Sequence, residues 1–319
     1  MSGYLTSLGI PSSPTLLDYV GAALFLGIPA VAIFEGVYGD ITKEREQRDA
    51  EARRKKFPAD TIILHQFPRP DNLPSSSIFC LKAETLLLFS NAVYENDLTP
   101  STRGFPKGKL PAFSYNGKLF QDSQIGYSAL VRGAFVKDVE EGLDEEVRAR
   151  SAAFRALIEE QAWRVLLHER WLENRHKTVD SLLDKVPALI RSLVAWAIQN
   201  GVSQELHVTG ISRHTPAERD AHLLPNLLDA LSAQLGHHMW LLGTEEPTSA
   251  DASLFAFLAN AIYYKEGSPK VAAGIAEREN LHNYFRRIRE IHWSQWDATD
   301  PPEAHLAHLA RGGVGAKSA

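Results

Sequence analysis

The stretch GKLPAFSYNGKLFQDS, Gly108–Ser123, decides how the chain is read. Ala112–Tyr115 and Lys118–Gln121 are short strand-like runs joined by Asn116-Gly117, the pair that best suits the two positive φ angles of a type I′ hairpin turn. Pro111 has no amide proton for a ladder, so it belongs at the mouth of the first strand or on an edge. Asp122-Ser123 follows the hairpin where the chain turns into a helix expected over Gln124 to Arg132. Side chains there can cap the helix, and its unpaired amides can hold an anion. A hairpin alone does not require that arrangement, whereas a small-molecule site can use it.

Working outward, Thr61–Phe67 (TIILHQF) is β-branched and aromatic and reads as a buried strand. A Pro- and Ser-rich loop, PRPDNLPSSS, leads into FCLKAETLLLFSN, apolar at helical spacing, and Ala92–Glu95 is expected to form a second strand. The order β-α-β, loop, β-β-α predicts a four-stranded mixed sheet flanked by helices, a thioredoxin-like α/β domain over 61–136. After the acidic linker KDVEEGLDEE the strand signal disappears. Helical periodicity covers roughly 144–175, 178–200, 216–236, 250–264 and 279–291, which predicts an all-helical domain over 137–297 and a flexible tail over 298–319. Thr248 followed three residues later by Asp251 reads as a capping box.

The chain has 319 residues, 44% hydrophobic and 23% charged, with a net charge of −5, so no global field favours nucleic acid. A single cysteine, Cys80, excludes an intrachain disulfide and a four-cysteine zinc site and suits a reducing compartment. No metal centre is expected: His237 and His238 are adjacent, so on a helix they point apart. The first sixty residues differ in kind. Residues 1–16 form a short tail, and Tyr19–Phe34 is an uncharged run of sixteen residues within a predicted transmembrane helix over 17–39. The charged segment 40–60 holds Lys43–Lys56, with seven basic and four acidic residues, so the positive-inside rule keeps that flank cytosolic. The expectation is a single-pass protein on an intracellular membrane, its folded part in the cytosol. The alternative is an apolar helix folded onto the soluble part.

Five stretches carry a resemblance: Pro74–Leu87, the hairpin segment itself, Arg213–Gly236, Trp240–Ala259 and Asn280–Ile288. With them the chain resembles the glutathione S-transferase superfamily, in particular its failed axon connections and metaxin-like branch. The resemblance implies a thioredoxin-like domain followed by an all-α transferase domain, with glutathione as co-substrate and a small electrophile as acceptor. It implies a cis bond between Leu110 and Pro111 that aims the Leu110 backbone at the cysteinyl part of glutathione. Asp122 and Ser123 would receive the γ-glutamyl end. The position that would stabilise the thiolate falls on Ser77, with Ser75 and Ser76 one or two residues away; the same serines can serve simply as helix caps. Trp163 and Trp171 would line an acceptor pocket or pack between the domains. Cys80 is either a packing residue or a redox thiol. A homodimer or other protein partners are also in keeping with the family, as is a non-catalytic, membrane-anchored adaptor of metaxin type.

Overall fold

A computed structural model describes residues 48–296, apart from 72, 100, 101, 103, 184, 185 and 295. The predicted membrane segment 17–39 and the tail 298–319 lie outside the described residues. Among the described residues no helix is long and apolar enough to cross a membrane. A helical stretch over 48–56 clusters with the hairpin turn Asn116–Lys118 as one unit. There Arg53 Nε donates to the Gly117 carbonyl at 3.2 Å and Arg54 Nε to that of Asn116 at 2.6 Å. Gly117 sits at φ +81° with Arg54 Cγ and the Ala50 carbonyl so close that a Cβ would collide with both. Asn116 is also at positive φ, as the Asn-Gly turn predicts.

The second unit starts with strand β1 (Ile62–Gln66), buried along its whole length, and helix α1 (Ile78–Phe89). Strand β2 (Tyr94–Leu98) runs parallel to β1, and β3 (Ala112–Tyr115) runs antiparallel to it. With β4 (Lys118–Gln121) the sheet order is β2-β1-β3-β4. The mixed sheet is therefore the one expected, with one correction. The second strand lies over Tyr94–Leu98 rather than Ala92–Glu95, although Asn96 and Asp97 disfavour strands by propensity. Tertiary partners explain the shift: Asn96 Oδ1 accepts from Gln66 Nε2 at 2.7 Å, and Asp97 Oδ2 lies 2.8 Å from His65 Nδ1. Helix α2 (Ile125–Arg132) follows β4 directly.

Downstream, α3 (Glu145–Ala156) and α4 (Trp163–His168) are joined through the π-wound stretch Leu157–Ala162, and a second π stretch, Glu169–Glu173, follows α4. The predicted helix over 178–200 is instead two, α5 (Arg175–Leu182) and α6 (Ala188–Val208). Pro187 stands at the N-cap of α6, where its missing amide costs nothing; inside a helix it would break the ladder. Then come α7 (Leu224–Leu235), α8 (Ser249–Tyr263), α9 (Pro269–Ala276) and α10 (Glu279–His292). The sequence reading missed α9, a short helix marked only by Pro269 in its first turn.

Helices α1 and α8 are buried on nearly every side and pack against each other. Their contact carries one continuous core from Ile62 and Leu64 in the sheet, through Leu81 and Leu86, to Phe255, Leu258 and Phe285. The two regions expected as separate domains thus share a core.

At the end of α10, His292 stacks edge-on to Phe89 of α1, 4.7 Å between ring centres, and its Nε2 is buried without a hydrogen-bond partner. Burial disfavours the imidazolium and holds the His292 pKa down at about 4. An unfolded chain takes up that proton near pH 6.5, whereas the folded chain does not until about pH 4. Stability contributed by neutral His292 is therefore full above pH 6.5 and lost as pH falls toward 4, by at most about 3 kcal/mol. Urea titrations from pH 7.5 to 4.5 on wild type and His292→Phe should show a shallower acid slope in the variant. Equal slopes would mean that His292 protonates freely in the folded state.

Candidate functional site

Three pieces of chain leave the same end of the sheet. Strand β1 runs out through Gln66 into the loop that reaches α1. Ala112, at the start of β3, pairs with His65 near the end of β1. The Asp122 amide donates to the Pro111 carbonyl at 3.3 Å, which brings the end of β4 alongside. The N-terminus of α1, the Leu110–Pro111 segment and the N-terminus of α2 consequently gather there, and the Leu110–Pro111 bond is cis.

Each piece offers a different group. Ser77 is the N-cap of α1: its Oγ accepts from the Cys80 amide at 3.3 Å and keeps its own proton to donate. Ser75 is buried, and its Oγ accepts from the Ser77 amide at 3.3 Å. Ser76 and Ser77 are both partly exposed. The amide and carbonyl of Leu110 have no hydrogen-bond partner among the described residues. At the start of α2, Asp122 Oδ1 accepts from the amides of Gln124 and Ile125 at 2.8 and 2.9 Å, so Asp122 caps the helix from a backbone at φ +88°. That geometry costs a non-glycine residue energy and persists only where surroundings impose it. Asp122 Oδ2 and Ser123 Oγ have no protein partner among the described residues. The first amides of α2 are thus already occupied, that of Gly126 by the Asp122 carbonyl at 3.0 Å, where the sequence predicts unpaired ones. An exposed carboxylate oxygen and a free hydroxyl at the positive end of a helix can together receive an ammonium and a carboxylate on one ligand.

The remaining residues named from the sequence fall elsewhere. Cys80 is buried one turn into α1, and burial pushes its thiol up to about 11, so it stays protonated and shielded. Trp163 is half-buried and meets Phe79 of α1 edge-on, 5.8 Å between ring centres, which joins the start of α4 to the helix bearing Ser77. Trp171 is 5% exposed and packs with Leu167 and Leu206 in a small satellite core, which leaves its indole little surface to offer a ligand.

The structure adds three polar groups that no sequence signal singled out. Glu84 of α1 takes hydrogen bonds from Gln66 at 2.8 Å, Arg69 at 2.5 Å, Asn96 at 2.8 Å and Tyr94 at 3.2 Å. Arg69 also donates to the Pro74 carbonyl at 2.8 Å, so this pair fastens the long loop between β1 and α1. Lys82 of α1 is buried beside Glu159, Nζ to Oε1 2.6 Å, and Ser253 of α8 donates to the same oxygen at 2.7 Å. Burial lowers the Lys82 pKa, with Glu159 and more weakly Asp122 acting the other way. Across the sheet, His65 lies 2.8 Å from both Asp97 Oδ2 and Ser114 Oγ. Ser114 and His65 are buried, so this cross-strand row ties three strands together and presents no open nucleophile. The partners are distant in sequence, and only the fold reveals them.

Two surface hollows, of about 510 and 320 Å³, lie around Phe135 and Lys137. The smaller is lined by Asp60 and Ile62 at the start of β1 and by Tyr115 at the end of β3. It is therefore at the opposite end of the strands from Leu110 and Asp122. Neither hollow is lined by the residues that converge at the α1 and α2 termini.

Family models describe two parts of the chain. That of the glutathione S-transferase N-terminal domain matches residues 78–176, and that of the glutathione S-transferase C-terminal domain matches 225–288. The chain is 28% identical over 226 residues to Failed axon connections of Drosophila melanogaster, covering 66% of this chain and 52% of that protein. It thus matches about half the length of this curated relative. Solved structures to which the chain is similar include a rice glutathione transferase in complex with glutathione, at 12% identity and a TM-score of 0.46, covering 79% of this chain and 97% of the other. Another is FzlA from C. crescentus, at 12% identity and a TM-score of 0.47, covering 79% and 99%. A third is a glutathione S-transferase from Rhodospirillum rubrum, at 14% identity and a TM-score of 0.46, covering 76% and 91%.

Proposed function

Because the chain belongs to the glutathione S-transferase superfamily and is similar to Failed axon connections, we propose that it binds glutathione where α1, Leu110–Pro111 and α2 converge. The observation that carries this reading is the set of unpaired groups at one sheet end: the Leu110 backbone, Asp122 Oδ2 and Ser123 Oγ. The Leu110 amide and carbonyl pair with the cysteinyl backbone of the tripeptide as a strand would. Ser123 takes the γ-glutamyl carboxylate at the positive end of α2, and Asp122 takes its ammonium. The Ser77 hydroxyl donates a hydrogen bond to the ligand's sulfur and the α1 N-terminus favours the thiolate; the thiol proton passes to solvent, and the thiolate attacks a small electrophile on the side of Trp163. The sulfur–carbon bond forms as the electrophile's leaving group departs or its double bond takes up the electron pair.

Isothermal titration of reduced glutathione into the full chain tests this. Binding at millimolar concentration or tighter is expected, with Ser123→Ala weaker by about tenfold, or 1.4 kcal/mol. Ser77→Ala should retain binding and raise the pKa of the bound thiol, read by ultraviolet absorbance of the thiolate. No heat from a folded chain would remove the reading. The second reading is a non-catalytic adaptor on an intracellular membrane, held by residues 17–39 with the folded part in the cytosol. It draws on the two hollows near Phe135, which lie away from the convergent groups and offer surface to a partner. An adaptor needs no glutathione affinity, so the same titration separates the two.

A further inference from the structure

Helix α6 buries one stripe and leaves another bare. Ala195 and Leu206 are buried, and Ile198 and Val202 pack on the satellite core of Leu167, Trp171 and Leu206. Ile198, Val202 and Leu206 lie in the later half of the helix, and Ala195 is the one buried residue of the earlier half. The earlier part turns large apolar side chains outward: Leu189 is 95% exposed, Leu193 66%, Trp196 60% and Ile190 46%. Leu189, Leu193 and Trp196 follow the i, i+4, i+7 spacing of one helical face. Pro187, Ala188, Leu189 and Ile190 are all exposed in succession, so the first turn stands clear of the body on every side. Scattered exposed apolar residues need no explanation, but a contiguous patch of this kind at a projecting helix end does.

We propose that the N-terminal half of α6 inserts into the surface of a phospholipid bilayer as an interfacial helix, and that it takes neutral, loosely packed lipid. Leucine and tryptophan on one face are the side chains that such helices bury at the headgroup boundary. A second copy of the chain suits the patch less well, because a face of a few hundred Å² falls short of the roughly 800 Å² per partner that stable dimers bury. The lipid class follows from charge. No charged residue occurs from Ser192 to Gln204, and the guanidinium of Arg191 donates from Nε and Nη2 to the Val186 carbonyl at 3.1 and 3.0 Å. The exposed polar residues of that uncharged run after Trp196 are Asn200, Ser203 and Gln204, which solvate the helix without attracting anionic headgroups; the helix ends on the exposed pair His207 and Val208. Binding then depends on apolar area and on gaps between acyl chains, with little help from charge. A protein tethered through Tyr19–Phe34 would hold this helix near a membrane, but the inference stands on α6 and is independent of glutathione.

A fluorophore whose emission shifts with polarity, placed on Leu193→Cys in the full chain, reads the event directly. Cys80 is fully buried, so the introduced thiol takes the label. Small dioleoylphosphatidylcholine vesicles should give a blue shift and a several-fold gain in emission at position 193. The same label on Gln204→Cys should change little. Adding Leu189→Ser and Trp196→Ser should cut the vesicle partition read at position 193 about tenfold, and exchanging a third of the lipid for phosphatidylserine should alter it less than twofold. Unchanged emission at 193 overturns the proposal, even if the protein floats with the vesicles through another segment. So does an equal response at 204, or binding that needs anionic lipid. A lipid-free shift that grows with protein concentration, with dimers in sedimentation, would assign the face to a second copy instead.

Discussion

Replacing Glu84 by alanine is expected to destabilise the fold by roughly 3–5 kcal/mol, read from urea denaturation, a large share of the roughly 5–15 kcal/mol that holds a typical domain. Glu84 is fully buried, and its carboxylate is the shared acceptor for Gln66, Arg69, Tyr94 and Asn96. Truncation leaves the buried guanidinium of Arg69 without its ion-pair partner and strips an acceptor from donors on β1 and β2. The loss of one partner costs far more than the pair contributes, because the other charge remains desolvated. Arg69→Met with Glu84→Leu should therefore recover much of what Glu84→Ala alone loses. If the double variant is as unstable as the single one, the carboxylate's neutral partners carry the effect and the ion pair does not. The consequence reaches the candidate site, since Arg69 fastens the loop leading to Ser77 through the Pro74 carbonyl. Proteolytic nicking between Pro68 and Pro74 should rise in Glu84→Ala before the rest of the chain unfolds.

Asp251→Ala should cost on the order of 4 kcal/mol. This carboxylate accepts from the Leu241 amide at 2.7 Å, the Thr248 amide at 2.8 Å, Thr248 Oγ1 at 2.7 Å and Tyr284 Oη at 2.6 Å. It therefore closes the capping box of α8, holds the preceding loop and anchors α10 at once. Burial pushes the Asp251 pKa up, and the same donors pull against that rise, so removing the acceptor exposes how much they contribute. Tyr284→Phe removes a single donor and should cost about 1–2 kcal/mol. Because α8 packs against α1, a loss at Asp251 should lower thermal stability as one cooperative transition. A separate early melting of the helical region would show that the shared core does not couple the two parts.

Much of the frame was legible in local chemistry. Asn116-Gly117 dictated the hairpin, since few other pairs accept two positive φ angles, and the β-branched run around Ile62–Leu64 dictated a buried strand. Thr248 and Asp251 announced the start of α8, because a capping box is satisfied by residues three apart. The break between α5 and α6 was legible too, in Pro187, but periodicity was read across it. At the candidate site, Pro111, Asp122 and Ser123 stood out by residue type in the hairpin segment, whereas Leu110 was implied only by the family resemblance; the four lie at one end of the sheet.

What the sequence by itself determined is therefore what depends on near neighbours: the turn, the caps, the strand alternation and the succession of elements. What only the tertiary structure decided is which polar groups share an interior. The strand over Tyr94–Leu98 exists because Asn96 and Asp97 find Gln66 and His65 on the neighbouring strand and Glu84 on α1. Glu84 could be read only as one polar residue in a helix until Arg69, 15 positions earlier, closed on it. Likewise the face of α6 that remains bare is defined by what packs on its other side. A buried hydrogen bond or ion pair gains its energy from excluding water, and water is excluded only after distant segments have met.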